Sequence, residues 1–363
     1  MEKIANNAKR ALIIGAGLAG ASAAYALAQQ GWQVLVLDAA AAAAQGASSL
    51  PVGLMAQRKG GGAAQVGGIW ASPLDWDGQG MACTRRWLEH FSAQGSLQQG
   101  LDWQACGAAH SSQWAKKAPP PDAPAWQWQA DACWVKPQRL VAACLAHPAI
   151  TCEWQASVTS IVRHSSAWQI QASDGRAWQA ATVVLAASVG CTALLRALPP
   201  GAARTALQRL QDREVLIPTA GQVLYAPWHS DWGHLLPLFA EHGLHACNGH
   251  GHFVPAVPAE SGQSLWFCGA SYVHQPQAQA ADTDEGQAEN LLRLRELLPS
   301  LTAVLAQQVQ AGQIRRFVGV RCATSSRLPV LQHLGAGLWV STGFGSRGLS
   351  HAPLAAEYLA QVL

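Results

Sequence analysis

No Cys-x-x-Cys pair occurs among the nine cysteines, and an odd number cannot close a complete set of disulfides. Most of these thiols are therefore expected to be reduced core residues, which suits the cytoplasm. Charge is scarce as well. Only 12% of residues are Asp, Glu, Lys or Arg, while half are hydrophobic, so a disordered or fibrous chain is excluded. The net charge of +3 permits a polyanionic partner without demanding one. No apolar run reaches the roughly 18 to 20 residues that a membrane span needs, so no membrane partner is expected. A repeat with a period of about 20 to 50 residues is missing, which removes solenoid and propeller readings. No catalytic-triad pattern is visible either.

What the chain does have is a strand, a glycine turn and a helix near its start. Residues 11–14 predict a buried strand, 18–30 an Ala-rich helix and 33–37 a second buried strand. The apolar stretch after Arg10 has the look of a secretory signal, but the glycine spacing and a strand ending at Asp38 account for it better. Gly15, Gly17 and Gly20 form G-x-G-x-x-G between strand and helix. The first permits a tight turn, the second lets a pyrophosphate approach the backbone, and the third lets helix and strand pack closely. The helix start then offers N–H groups and a positive dipole end to phosphate. Asp38, at the end of the second strand, is placed to accept both hydroxyls of an adenosine ribose, and an acid there disfavours the 2′-phosphate of NADP.

A second strand–glycine–helix unit closes the chain: "LWVSTGFGSRGLSHAPLAAEYLAQVL", residues 338–363. In one sheet-based domain it brings another helix N-terminus to the same cleft. NAD has no use for that, whereas a reduced flavin carries negative charge near N1 and O2 that a helix dipole and N–H groups stabilise. Gly343, Gly345 and Gly348 allow the close approach, so FAD is the expected cofactor.

Between these ends the pattern is coarser. Residues 39–44 are six alanines that could be helical, and the Gly-rich stretch 58–68 and the Pro-rich stretch 116–126 predict loops. Residues 157–188 alternate as a β-meander around Asp174-Gly175 and end in a buried strand at 182–186. Residues 222–272 predict several short strands, 285–301 an amphipathic helix, 338–342 a strand and 352–362 a final helix.

"FVGVRCATSSRLPVL" (317–331), followed by "TGFGSRGLSHAPLAAEYLA" (342–360), resembles the D-amino-acid-oxidase-like flavoprotein family. Within it, the likeness is to the FAD-dependent oxidoreductase domains of bacterial bifunctional enzymes that make a modified wobble uridine of tRNA. "FCGASYV" (267–273), "DTDEGQAENLLRLRELLPSL" (282–301) and "GAS" (46–48) are similar too, the last followed here by Ser49 and Leu50. The fold class implied is α/β: a Rossmann-like FAD-binding domain of the glutathione-reductase/DAO type with a second, mixed-sheet substrate domain. The expected boundaries are 1–85, 141–215 and 315–363 for the FAD domain, and 86–140 and 216–314 for the substrate domain.

The resemblance implies oxidative removal of the carboxymethyl group of 5-carboxymethylaminomethyl-uridine in tRNA, leaving 5-aminomethyl-uridine and glyoxylate. The chain starts almost directly at the glycine motif, so a methylation step is expected to need a separate methyltransferase. The cofactor residues it implies are Ser48 and the run Gly343, Gly345, Ser346, Arg347, Gly348 and Leu349, beside Gly15, Gly17, Gly20 and Asp38. For the carboxylate-bearing amine substrate it implies Arg321, whose planar guanidinium matches a carboxylate; the alternative is an arginine that satisfies local backbone carbonyls. Tyr272 is a candidate substrate hydrogen-bonder, or a half-buried strand residue. Arg347 either neutralises flavin or phosphate, or sits on an exposed rim.

His250 and His252 supply only two ligands, with Cys247 alone nearby, so no metal is expected; a histidine lining the substrate cleft is the alternative. Basic pairs at Arg58-Lys59, Arg85-Arg86, Lys116-Lys117 and Arg315-Arg316, with sixteen tryptophans, provide capacity for RNA. Most tryptophans, Trp168 and Trp178 among them, are expected in or beside a core. Two rival readings stand beside the tRNA enzyme. One is an FAD enzyme for a free small amino acid or N-substituted glycine; the other is a flavin-binding partner without catalysis.

Overall fold

The apolar runs at 11–14, 34–37 and 182–185 become neighbouring strands because only a sheet covered on both faces can bury side chains pointing both ways. The computed structural model describes residues 9–56, 76, 78–112, 125–201, 203–205, 208, 215–274 and 282–363. Its first sheet has the order Val330–Gly335, Leu338–Thr342, Thr182–Leu185, Arg10–Ile14, Gln33–Leu37, Ile150–Glu153. All neighbours are parallel except the first pair, an antiparallel hairpin. Ile13, Val34 and Val36 pack with Ala23, Ala24 and Leu27 of helix Leu18–Gln29 and with Leu359 of helix Gly348–Val362. Leu12, Ile14 and Leu37 face the other way, onto Ile161, Trp168 and Ile170 of the meander. That meander is Val158–His164, Ala167–Ala172 and Ala177–Ala180, antiparallel throughout, as its alternation predicted.

The second sheet is mixed and eight-stranded. Its centre is the twelve-residue strand Leu216–Pro227, flanked by Ser264–Gly269 on one side and Arg315–Thr324 on the other. Helix Asp284–Leu297 covers one face: Leu291, Leu294 and Leu297 pack against Leu224, Trp266 and Cys268. Thr283 caps it, accepting the Gly286 N–H at 3.0 Å, and Asp284 and Glu285 complement the dipole of the first turn. A third, small sheet joins Gly53–Met55, Cys133–Val135 and Trp103–Ala105.

Several elements differ from expectation. Arg315–Thr324, placed by sequence with the FAD domain, hydrogen-bonds along the whole Leu216–Tyr225 edge of the second sheet. Ten consecutive pairings with a distant strand outweigh chain proximity to the next nucleotide-domain element. Helix Gly78–Ala93 runs through the 85/86 boundary unbroken. Residues 39–44 form bends and a turn rather than a helix, with the Ala44 N–H tied to Ala16 O at 3.0 Å. The Gly-rich 58–68 stretch and residues 116–124 lie outside the described residues.

The final helix starts at Gly348, earlier than expected, with Pro353 inside it. Pro353 has no N–H, so the Leu349 carbonyl lacks its usual intrahelical donor. Thr84 replaces that donor: its hydroxyl lies 2.8 Å from Leu349 O and 3.0 Å from Gly80 O. The two helices cross closely here, since a Cβ on Gly80 would meet Ser350 O at 2.7 Å. Thr84→Val keeps the shape and removes the donor. It is expected to cost about 2 kcal/mol in urea unfolding, the penalty of a buried carbonyl left unpaired. An unchanged midpoint would mean that another donor serves Leu349.

Candidate functional site

The opening glycine turn is held by backbone contacts that tolerate no side chain. Gly15 has φ +111°, and a Cβ there would lie 2.5 Å from Ala186 O. A Cβ on Gly20 would lie 1.8 Å from Gly15 O, which pins the helix start against the strand end. Asp38 accepts the Ala16 N–H at 2.6 Å and the Ala40 N–H at 2.8 Å, so its carboxylate fastens the turn. Ser48 sits across the turn, where its Oγ accepts the Leu18 N–H at 2.9 Å and lies 3.2 Å from the Cβ position of Gly17. One of the orphan donors of the helix start is thereby taken by protein, while the first intrahelical bond runs only from Ala21 N to Gly17 O.

The closing turn arrives at the same place. Strand Leu338–Thr342 lies beside Thr182–Leu185, which pairs with the first strand. The chain then turns through Gly343 and the short helical turn Gly345–Arg347 into the last helix. A Cβ on Gly348 would meet Leu18 Cδ1 at 3.4 Å, so the two turns touch although 330 residues separate them in sequence. Ser346 is exposed and Arg347 half-buried. Leu349 is a correction in detail: its side chain is buried in the core, with Cδ1 at 2.6 Å from the Cβ position of Gly53. Only its backbone can serve a ligand.

Arg321 stands on Arg315–Thr324, the strand that also runs past Ala47–Ser49 and Gly345–Arg347. Its guanidinium lies 4.7 Å from the Tyr272 ring centroid and donates to Ser271 O at 3.3 Å. Gly221 makes room for it, since a Cβ there would lie 2.1 Å from Arg321 Nη2. Tyr272 is 40% exposed and precedes the strand Val273–His274 rather than lying in a half-buried one. Arg293 also reaches that ring, at 6.0 Å from its centroid, while donating to Ala270 O at 2.9 Å.

His250 and His252 part company. His250 pairs with Glu296 at 3.2 Å, and no group of three metal-ligating side chains exists among the described residues. Burial, then the Arg321 charge, pushes the His252 imidazole down to about 4. An unfolded chain takes up that proton near 6.5, so stability is complete above that pH and drains away as pH falls toward 4, by up to about 3 kcal/mol. His252→Phe is expected to lose less stability than the parent over that window in urea melts. Equal slopes would show that the ring is not protected.

The whole span from 10 to 362 matches the model of the DAO family, described as FAD-dependent oxidoreductases. The chain belongs to that family. Relatives of this flavoenzyme include the tRNA 5-methylaminomethyl-2-thiouridine biosynthesis bifunctional protein MnmC of Polaromonas naphthalenivorans, 36% identical over 97% of this chain and 56% of the relative. The protein of the same name from Albidiferax ferrireducens is 38% identical over 96% and 54%. The chain thus spans little over half the length of these curated relatives. Among solved structures, glycine oxidase from Geobacillus kaustophilus superposes with a TM-score of 0.69 at 19% identity, covering 97% of this chain and 94% of that one. Iminodiacetate oxidase from Chelativorans sp. BNC1 gives 0.64 at 22%, covering 97% and 95%. The fold is the DAO type, and the cofactor is FAD.

The residues present fit that cofactor. Two glycine-lined helix starts converge, with an acid at the end of the second strand, and the opening turn packs too closely to admit side chains at Gly15 and Gly20. All nine cysteines are free thiols, seven of them buried. Burial pushes Cys106 up to about 11 and Cys133, Cys191 and Cys268 up to about 12, so none of these offers a thiolate nucleophile. Sequence reading missed Ser271, Gly221 and Arg293. Gly221, isolated within a strand, was the one available signal of a close approach.

The basic pairs are less available than their sequence suggests. Arg85 pairs with Glu89, Arg86 with Glu357, and Arg316 with Asp282 and Asp284. Arg58-Lys59 and Lys116-Lys117 lie outside the described residues. Trp168 is buried and Trp178 half-buried, each with its indole N–H donated.

Proposed function

We propose that the chain is an FAD-dependent amine oxidoreductase acting on tRNA. On this reading it removes the carboxymethyl group of 5-carboxymethylaminomethyl-(2-thio)uridine at the wobble position, giving 5-aminomethyl-(2-thio)uridine and glyoxylate. The observation that carries it is Arg321, a half-buried guanidinium over the Tyr272 ring, in the strand that runs past Ala47–Ser49 and the closing glycine turn Gly345–Arg347. The named activity of relatives similar over nearly the whole chain supports tRNA as the substrate. No helix among the described residues is long and apolar enough to cross a membrane, and reduced thiols agree with a cytoplasmic site. A methyltransferase activity acting on the product completes the sequence of reactions.

In this reading Gly15, Gly17, Gly20, Asp38 and Ser48 hold the dinucleotide end of FAD. Gly343, Gly345, Ser346, Arg347, Gly348 and the Leu349 backbone hold the flavin end. FAD, when bound, supplies the two-electron acceptor that amine oxidation requires. Arg321 binds the substrate carboxylate and so fixes the methylene between carboxylate and amine in one orientation. Tyr272, at the mouth, is placed to hydrogen-bond the substrate. Loss of two electrons and two protons from the HN–CH₂ unit, a hydride equivalent from carbon to the bound acceptor and the proton from nitrogen to solvent, gives an imine, which water splits into the primary amine and glyoxylate. His252, held neutral by burial, adds no positive charge beside Arg321 in the physiological range.

The test is anaerobic bleaching of the bound flavin. tRNA carrying the carboxymethylaminomethyl group is expected to bleach it, while free glycine and sarcosine do so poorly. Bleaching by the amino acids alone would replace the tRNA reading with a small-amine oxidase.

A further inference from the structure

Between the second sheet and helix Asp284–Leu297 lies a cavity of ≈ 10 Å³. Its lining includes His252, Cys268, Gly269, Asn290 and Arg293. Two buried polar atoms of that lining, His252 Nε2 and Asn290 Oδ1, have no hydrogen-bond partner among the described residues. Asn290 is only 2% exposed, and its orientation is settled by its other end: Nδ2 donates to Gln222 O at 2.8 Å. Flipping the amide would set two carbonyl oxygens against each other, so Oδ1 is an acceptor in need of a donor. Buried polar groups of this kind are nearly always paired, and about 10 to 15 Å³ of polar cavity is enough for one water.

The same asparagine is tied to Arg321 by a second route. Gln222 O, which accepts from Asn290, also accepts the Ser271 N–H at 3.2 Å, and the Gln222 N–H donates to Ser271 Oγ at 3.0 Å. Ser271 O in turn accepts from Arg321. Two arms therefore leave Asn290, one through Gln222 and Ser271, one across the cavity to the imidazole beside the guanidinium.

We propose that the cavity is a one-water site bridging His252 Nε2 and Asn290 Oδ1, and that Asn290 is thereby a positioning residue for Arg321. The inference rests on the reading of Arg321 as the carboxylate binder. It adds that the geometry of this arginine is set in part from helix Asp284–Leu297, on which Asn290 lies. A fully hydrogen-bonded support holds the fork still, and a loose one lets the guanidinium sample orientations that miss the carboxylate.

The experiment uses the FAD-loaded enzyme, with glycolate as a small carboxylate probe followed by its perturbation of the flavin spectrum. A high-resolution crystal structure of the parent is expected to show one density peak within hydrogen-bonding reach of both atoms, absent from Asn290→Leu. Asn290→Leu is expected to keep its FAD and bind glycolate about tenfold more weakly. With the amine substrate it should raise KM more than it lowers kcat. Asn290→Ser, which keeps a hydroxyl and leaves room for water, should fall between the two and serves if the leucine variant does not fold. An empty cavity in the parent overturns the water site. A lowered Tm with unchanged glycolate binding overturns the positioning role and leaves Asn290 as packing. A parent that shows the water but does not bind glycolate sinks the Arg321 reading itself, and the positioning role with it.

Discussion

Gly20→Ala is expected to purify colourless. The added Cβ falls 1.8 Å from Gly15 O, and neither atom can step aside, because one belongs to the helix start and the other to the turn it packs on. The two must part by more than an ångström, which pulls the N–H groups of the first helical turn away from the place where a pyrophosphate would lie. Preorganised donors lose most of their value when misplaced by that much. A loss of at least a hundredfold in FAD affinity, about 3 kcal/mol, should follow. FAD titration, followed by the flavin's absorbance and by retention through gel filtration, measures it. Yellow protein with parental FAD content would mean that the third glycine is not pinned, and the dinucleotide assignment would fall with it.

The second large effect belongs to Arg321, and two different substitutions should produce it. Arg321→Ala removes the guanidinium. Gly221→Ala leaves it in the chain but places a methyl group 2.1 Å from Nη2 and 2.8 Å from Ser271 O, so the fork is driven off its position. Both variants should keep FAD, because neither residue belongs to the glycine turns. In both, kcat/KM for the carboxymethylamine substrate should drop by a hundredfold or more, about 3 kcal/mol, as expected when a charged partner of a carboxylate is lost. Arg321→Lys keeps the charge without the planar fork and should recover only part of the loss. Parental KM and kcat in Arg321→Ala would remove this residue from the substrate site.

These two predictions differ in how far they could be read from the sequence. Gly20 and its companions were legible because a tight turn, a close helix–strand approach and a strand-end acid are local requirements with a fixed spacing. The same holds for "GFGSRG", and for the strands and helices on either side of it. Arg321 was reached by resemblance, since nothing in the residues around it says which way its side chain points. The boundary expected at 315 grouped the strand that carries it with the FAD domain, and its pairing partner was not legible for the same reason. Its ten pairings are with Leu216–Tyr225, roughly a hundred residues away, and pairing of that range leaves no local mark. His252 illustrates the limit from the other side. A His-x-His pattern leaves the protonation of either ring open, whereas burial and the nearby guanidinium keep this imidazole neutral and make it a poor pH switch near neutrality.

What the sequence by itself determined, then, is the pair of glycine turns, because glycine spacing constrains backbone conformation over a handful of residues. What only the tertiary structure decided is the surroundings of Arg321. Tyr272, Arg321, Gly221 and His252 come from four separate segments of the second sheet, and the protonation of one and the orientation of another depend on neighbours supplied by the rest. Desolvation and Coulomb interaction act through space, so they follow the fold and not the order of the chain.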